Sequence, residues 1–324
     1  QSLSSMLPRL RHSYESLRRL ERHRGHFFNW YRLDDLSVLE PSYVSAVDSG
    51  NLVASLMVVR TTLLEAVDAP LPIHTLRAGL VDMLLDLAET LRRIVGDDAM
   101  GSLQAQLNTL ASEVREIGRE RPWATLAHRF EQEDLPALQS QVLEILRARE
   151  AGKIATEEFT ELRRTFNTIR EHLNACLREI DLAPWLEWST RAPTGDARID
   201  EQLMSLYARF QQVPSLRAVP HQCEVLAAAL DDIEALHAGS ATRQNGNGVD
   251  LTSLVRDMRQ QLADARDQAL QLTRTADDLA QESDLMVARM DFGFLYDPAR
   301  HLLRLGYTAT TGQYDPNYYD LLAS

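Results

Sequence analysis

TSLVRDMRQQLADARDQALQLTRTADDLAQESDLMVAR, residues 252–289, is the stretch that decides the fold class. Val255, Met258, Leu262, Ala265, Ala269, Leu272, Ala276, Leu279, Ser283 and Met286 alternate steps of three and four, which places them on one stripe of an α-helix. A helix over 252–289 is roughly 55 Å long at 1.5 Å per residue. Alanines on the seam permit close helix approach but supply little buried area. The pattern predicts a helical hairpin packed on the preceding helices, with self-association of two copies through 252–289 as the alternative.

Upstream, the same periodicity recurs. A helix is expected over 52–67, started by the DSGN turn at 48–51 with Asp48 as its cap and stopped by Pro70 and Pro72. A second fits 76–95, with Leu80, Leu84, Leu87, Leu91 and Ile94 on its buried face and Gly96 after it. A third fits 103–117, and Pro122 and Pro136 bracket a shorter helical stretch holding Trp123, Leu126 and Phe130. Helix over 142–149 ends at Gly152; the next opens at Thr156 with the stripe Phe159, Leu162, Phe166, Ile169, Leu173, Cys176, Leu177 and Ile180. The first interruption is 184–200, with Trp185 and Trp188, and RQNGNG inside 239–250 reads as a surface loop. Strand-like sequence is confined to 292–296 and 301–307, which flank Asp297-Pro298 and predict a short β-hairpin. DPNYYDLLAS at 315–324 reads as the start of another helix. The expected fold is all-α with one small β element near the end.

Composition narrows the function classes. The 324 residues are 44% hydrophobic, enough for a substantial core. Mean hydropathy is −0.28 and no apolar run approaches 18 residues. The longest candidate, 52–67, is interrupted by Ser55, Arg60, Thr61, Thr62 and Glu65, so no membrane span is expected. A net charge of −13 argues against nucleic acid or an anionic membrane as partner. Lys153 is the one lysine among 34 basic residues, a skew better read as genome bias than as phosphate binding. Cys176 and Cys223 are far apart and fit a reducing compartment. Gln1 is not an initiator and no signal-peptide layout follows it, so the chain reads as a piece of something longer. No nucleotide-binding glycine loop, zinc-ligand pair or nucleophile elbow is present, and no metal is expected.

Two segments stand out. RGHFFNWY at 24–31 runs on to PSYVSAVDSGN at 41–51. Aromatics interleaved with Asn, Asp and Ser suit carbohydrate, whose C–H faces stack on rings while its hydroxyls need short polar partners. The plainer reading makes Phe27, Phe28 and Trp30 core anchors and Asp48 a helix cap. MDFGFLYD at 290–297, continuing through Leu305, Gly306 and Tyr307 to 315–324, would alone be read as a structural corner.

Together these strings are similar to the glycoamylase-like module of cyclic β-1,2-glucan synthases. The match covers about 70 residues at the two ends, while the middle, about 70–282, matches only in being helical. The resemblance implies an incomplete (α/α) barrel of glucoamylase type, laid out as barrel helices over 1–69, a helical insertion over 70–250, the long helix over 251–289, and a hairpin with the start of a further barrel helix over 290–324. It implies a β-1,2-glucan chain and the other modules of the same polypeptide as partners. UDP-glucose would be the donor for the parent's glycosyltransferase part, with no cofactor in this stretch, and the location would be the cytoplasmic face of a bacterial inner membrane. Motif positions implied to line sugar are Asn29, Trp30, Tyr31, Asp48, Ser49, Asn51, Asp291 and Tyr296. Trp30 and Tyr31 would form a stacking wall, with Asp48 and Asn51 bonding glucose hydroxyls. Arg32-Leu33 replaces the Asp-Thr that family members commonly carry, and the family's acids are expected beyond Ser324, so no catalytic residue is assigned. The expected function is glucan binding and transglycosylation within a larger synthase; the alternative is a non-catalytic helical scaffold between its enzymatic parts.

Overall fold

The computed structural model describes residues 2–116, 123–148, 156–191, 193–237 and 251–318. The expected end of a helix at Gly152, the 239–250 loop and the helix starting within 315–324 lie wholly or largely outside these residues. The order is α1 (Leu3–Arg19), β1 (Arg22–His23), β2 (His26–Phe27), β3 (Tyr43–Ser45), α2 (Ala46–Asp68), α3 (Ile73–Val95), α4 (Asp97–Glu116), α5 (Trp123–Arg129), α6 (Leu135–Ala148), α7 (Thr156–Asp181), α8 (Ala197–Arg209), α9 (Val219–His237), α10 (Leu251–Arg289), β4 (Tyr296–Asp297), β5 (Leu302–Leu303), β6 (Gly306–Thr308) and β7 (Gln313–Tyr314). The chain is mostly helical with a few short strands, as the periodicity predicts. It divides into two compact units, Gln1–Ser5 with Ala69–Gln271, and Met6–Asp68 with Leu272–Ser324.

The first unit is a helical core built on α3, α4 and α7. The face predicted for α3 is buried: Leu80, Leu84, Leu87 and Leu91 are each at 0% exposure. Ile169, Leu173 and Cys176 of α7 join the same core. Each fully buried leucine contributes roughly 1.5–3 kcal/mol, so this stripe, and not intrinsic propensity, holds the helices. The bracketed helix departs from expectation, because the chain stays helical through Pro136. A π turn over Phe130–Asp134 links α5 to α6 and accommodates the ring, with Arg129 gripping Asp134 at 2.9 Å and also pairing with Glu113. The 184–200 interruption is a 3-10 turn, Pro184–Thr190, that buries both Trp185 and Trp188. Glu187 in that turn takes the Ala124 N–H of α5 on both carboxylate oxygens, at 2.9 and 3.0 Å.

The second unit combines α2 with small sheets, and β3 leads directly into α2. β1 pairs with β2, β4 with β5, and β3, β6 and β7 form a three-stranded antiparallel sheet with β6 central. The late hairpin is therefore shorter than expected. Phe292–Leu295 winds into a 3-10 turn capped by Asp291, and only Tyr296–Asp297 and Leu302–Leu303 pair. Gly306–Thr308 pairs instead with Tyr43–Ser45, across more than 250 residues of sequence that periodicity cannot bridge. A Cβ at Gly306 would sit 2.2 Å from the Tyr43 hydroxyl oxygen, so glycine is what lets these strands meet.

α2 starts at Ala46, six residues before the predicted 52. Ser45 Oγ accepts the Asp48 N–H at 3.1 Å, so Ser45 is the cap and Asp48 lies inside the first turn, near the positive end of the helix dipole. Leu56, Leu63 and Val67 form its buried stripe, while Met57 and Val58 are exposed. The whole 23-residue helix, with mean hydropathy 1.3 over 18 residues, is long and apolar enough to cross a membrane by length and composition. The hydroxyls read as interruptions do not break it; Ser55 Oγ bonds back to the Asn51 carbonyl at 2.8 Å. Seam residues of α10 are buried within the chain, with Val255, Met258, Ala265, Ala269 and Ala276 at 0% exposure.

Candidate functional site

The eight candidate residues all fall in the second unit, in distinct settings. Asn29, Trp30, Asp48 and Asn51 are on its surface around the N-terminus of α2. The Asn29 backbone N–H bonds the Tyr43 carbonyl at 2.9 Å, anchoring the motif to β3. Its side chain is held at both ends: Oδ1 accepts the Ser45 N–H at 3.2 Å, and Nδ2 donates to Asp48 Oδ2 at 3.2 Å. Asp48 Oδ1 has no hydrogen-bond partner among the described residues. Asn51 follows in the next turn, exposed.

Trp30 is half exposed, at 50%, and its ring stacks on Tyr43 with centroids 6.4 Å apart and planes at 27°. The backbone carbonyl of Trp30 accepts from Leu39 N–H at 3.0 Å, so the indole projects from a fixed loop. Tyr43 donates to Asp315 Oδ2 at 3.3 Å. Burial, then the Asp315 carboxylate, push its hydroxyl up to about 12, so it acts as a neutral donor and not as a base. Tyr43 stood in the quoted motif but not among the sugar-lining candidates. Its distant partners are Thr308 of β6 and Asp315 after β7, which no local pattern could supply.

Tyr31 has a different task from the stacking wall expected of it. Its hydroxyl donates to the Glu21 carbonyl at 2.7 Å and accepts the Phe28 N–H at 2.8 Å, tying its own loop together. Burial raises its hydroxyl, opposed by that N–H. Ser49 is buried, with Oγ 2.9 Å from His26 Nδ1. His26 is fully buried, wedged edge-on against Phe292 and Phe294, and burial pushes its imidazole below the ordinary range. Phe28, His23 and Tyr307 extend this aromatic cluster, which gives the plain core-anchor reading to part of the motif. Asp291 accepts the Gly293 N–H at 2.9 Å and pairs with Arg24 at 3.4 Å. The Tyr296 hydroxyl lies 3.0 Å from His301 Nδ1. None of these contacts ties Asp291 or Tyr296 to the Trp30 surface.

Arg32 is held by Asp34 at 2.8 Å, and Leu33, three positions after Trp30, is 96% exposed. The arrangement offers an apolar ring face, an oriented amide and a carboxylate, which is a recognition chemistry. Among the described residues no group of three or more His, Cys, Asp and Glu could hold a metal.

No protein-family profile matches the chain. Over 319 residues, 98% of the chain, it is 27% identical to cyclic beta-(1,2)-glucan synthase NdvB of Rhizobium meliloti (strain 1021). The chain spans 8% of the length of that relative. The likeness runs through the helical middle as well as the two motif-bearing ends, which is a wider base than the motifs alone provide.

Proposed function

We propose that this chain is part of a cyclic β-1,2-glucan synthase and that it contacts the glucan through Trp30, Tyr43, Asn29 and Asp48. The half-exposed, backbone-anchored Trp30 ring stacked on Tyr43, beside an oriented Asn29–Asp48 pair, carries the reading. A glucose ring lying on the indole would present hydroxyls to Asp48 and Asn51 at the start of α2. In this reading the helices complete an (α/α) barrel of glucoamylase type with further parts of the polypeptide, and the module serves ring closure by transglycosylation through carboxylates elsewhere. The buried stripe of α2 and the Ser49–His26 bond support α2 as a packed helix of that barrel. The location that goes with this reading is the cytoplasmic side of the inner membrane.

Calorimetric titration with linear β-1,2-glucooligosaccharides tests the contact. Loss of one aromatic contact removes about 0.5–1.5 kcal/mol, so Trp30→Ala is expected to weaken binding roughly two- to tenfold. Asp48→Ala is expected to act similarly, whereas Tyr31→Phe is expected to lower stability and leave affinity alone. Glucan affinity unchanged in both Trp30→Ala and Asp48→Ala would remove the proposal.

A further inference from the structure

The end of α1, β1 and the last turns of α10 enclose an open cleft of about 680 Å³ lined by Arg18, Arg22, Glu282, Leu285, Met286 and Arg289, among others. Its charges are not mutually neutralised. Arg18 grips Glu282 in a two-point ion pair, with Nε to Oε1 at 2.7 Å, so the hydrogen bonds of that carboxylate go to Arg18 while its charge still reaches Arg22. Asp278 also lines the cleft, but it stands 11 residues before Arg289 on one helix, roughly 16 Å away along the axis. Neither Arg22 nor Arg289 has an ion pair with any described residue.

Arg22 is built in place. One Nη donates to the Leu17 carbonyl at 3.0 Å, and the guanidinium lies 4.4 Å above the Phe27 ring. A planar guanidinium has five N–H donors, so most of the fork remains available. Burial first, then the like charge of Arg289, push Arg22 below its usual range, and Tyr31 and Glu282 oppose this only in part. Arg289 also complements the negative end of α10, but that role does not explain a second, partly buried arginine set against it.

We propose that Arg22 and Arg289 form a binding site for a phosphoryl oxyanion, the group their planar forks match bidentately. Leu20, Leu285 and Met286 give the cleft an apolar wall, which would favour a phosphate ester with an apolar body over free phosphate.

Binding is measured on the intact protein by calorimetry with inorganic phosphate and with phenyl phosphate, against sodium chloride of equal ionic strength. Saturable binding of at least one phosphate probe, weakened tenfold or more by Arg289→Gln and abolished by Arg22→Gln with Arg289→Gln, is the expected result. Should Arg22→Gln disturb the fold, Arg22→Lys keeps the charge and loses the fork, and is expected to weaken binding tenfold. Tighter phenyl phosphate assigns the site to an ester; tighter inorganic phosphate assigns it to the free ion. Phosphate heats no different from chloride, or binding that persists in the double variant, would overturn the proposal. Glucan affinity of Trp30→Ala is read separately, so failure of either site leaves the other intact.

Discussion

Alanine at Gly25 should be among the most damaging single changes in the second unit. Gly25 has φ of +85°, where a side chain costs about 1–2 kcal/mol. A Cβ there would lie 1.9 Å from the Arg289 carbonyl oxygen, 2.5 Å from its carbon and 2.9 Å from Met290 N, all backbone atoms with no rotamer to yield. Ordinary contact begins near 3.4 Å, so the β1–β2 turn and the end of α10 must part by more than an ångström. That separation breaks the Asp291 N–H to Arg24 carbonyl bond, at 3.1 Å, worth roughly 0.5–1.5 kcal/mol. Adding roughly 1–3 kcal/mol for overpacking gives a loss of about 2.5–6.5 kcal/mol. With urea slopes of about 1–3 kcal/mol per molar, the midpoint falls by at least ~1 M. Gly50, in α2 with nothing within 4 Å of its Cβ position, is the control: Gly50→Ala should stabilise by about 0.5–1 kcal/mol. Hydrogen exchange at the amides of β3 and β6 locates the loss in this unit. A Gly25→Ala midpoint equal to that of the wild type would refute the reasoning.

Two further outcomes follow from burial. His26 is folded neutral, its imidazole held below the unfolded value of about 6.5 by burial, with Asp291 opposing and His23 adding. The folded state therefore resists the proton, so stability is full above pH ~6.5 and declines as the pH falls below it. Urea midpoints at pH 7.5 and 5.5 should converge in His26→Phe, and an unchanged pH slope in that variant would count against the buried imidazole as the cause. Cys176 and Cys223 are both buried, which pushes their thiols up to about 12. Iodoacetamide at pH 8 should leave both unmodified in the native protein and label both in urea; rapid native labelling of either contradicts the packing.

The helices were legible because each carries its own periodic apolar stripe. The α3 face, the α7 face and the α10 seam are set within single segments, and the structure buries most of the residues that the spacing selects, with Phe159 at the start of the α7 stripe left exposed and Leu272 of the α10 seam half-buried. Boundaries were less so. Ser45 capping Asp48 moved the start of α2 back six residues, and a π turn carried a helix through Pro136. In both cases one local bond outweighed the punctuation that the composition displayed.

The candidate site divides the same way. The motif strings directed attention to Asn29 and Asp48, which meet, and to Trp30, which stacks on Tyr43. They could not show that Tyr31 would spend its hydroxyl on Glu21 and Phe28, or that Ser49 would turn inward to His26. Those roles depend on which face of a short loop meets the aromatic cluster. The same is true of Tyr43, whose partner Asp315 lies 272 positions away.

The long amphipathic stripe at 252–289 determined by itself that this is a helical protein, because helix hydrogen bonds and side-chain spacing are local. Its seam could not say what it would bury against; a run of alanines and leucines suits a partner copy and its own chain equally well. Only the folded chain shows most of the seam covered internally, and the helix ending where Arg289 comes to face Arg22. Pairing between distant segments depends on shape and charge summed over both partners, and one partner's sequence contains half of that information.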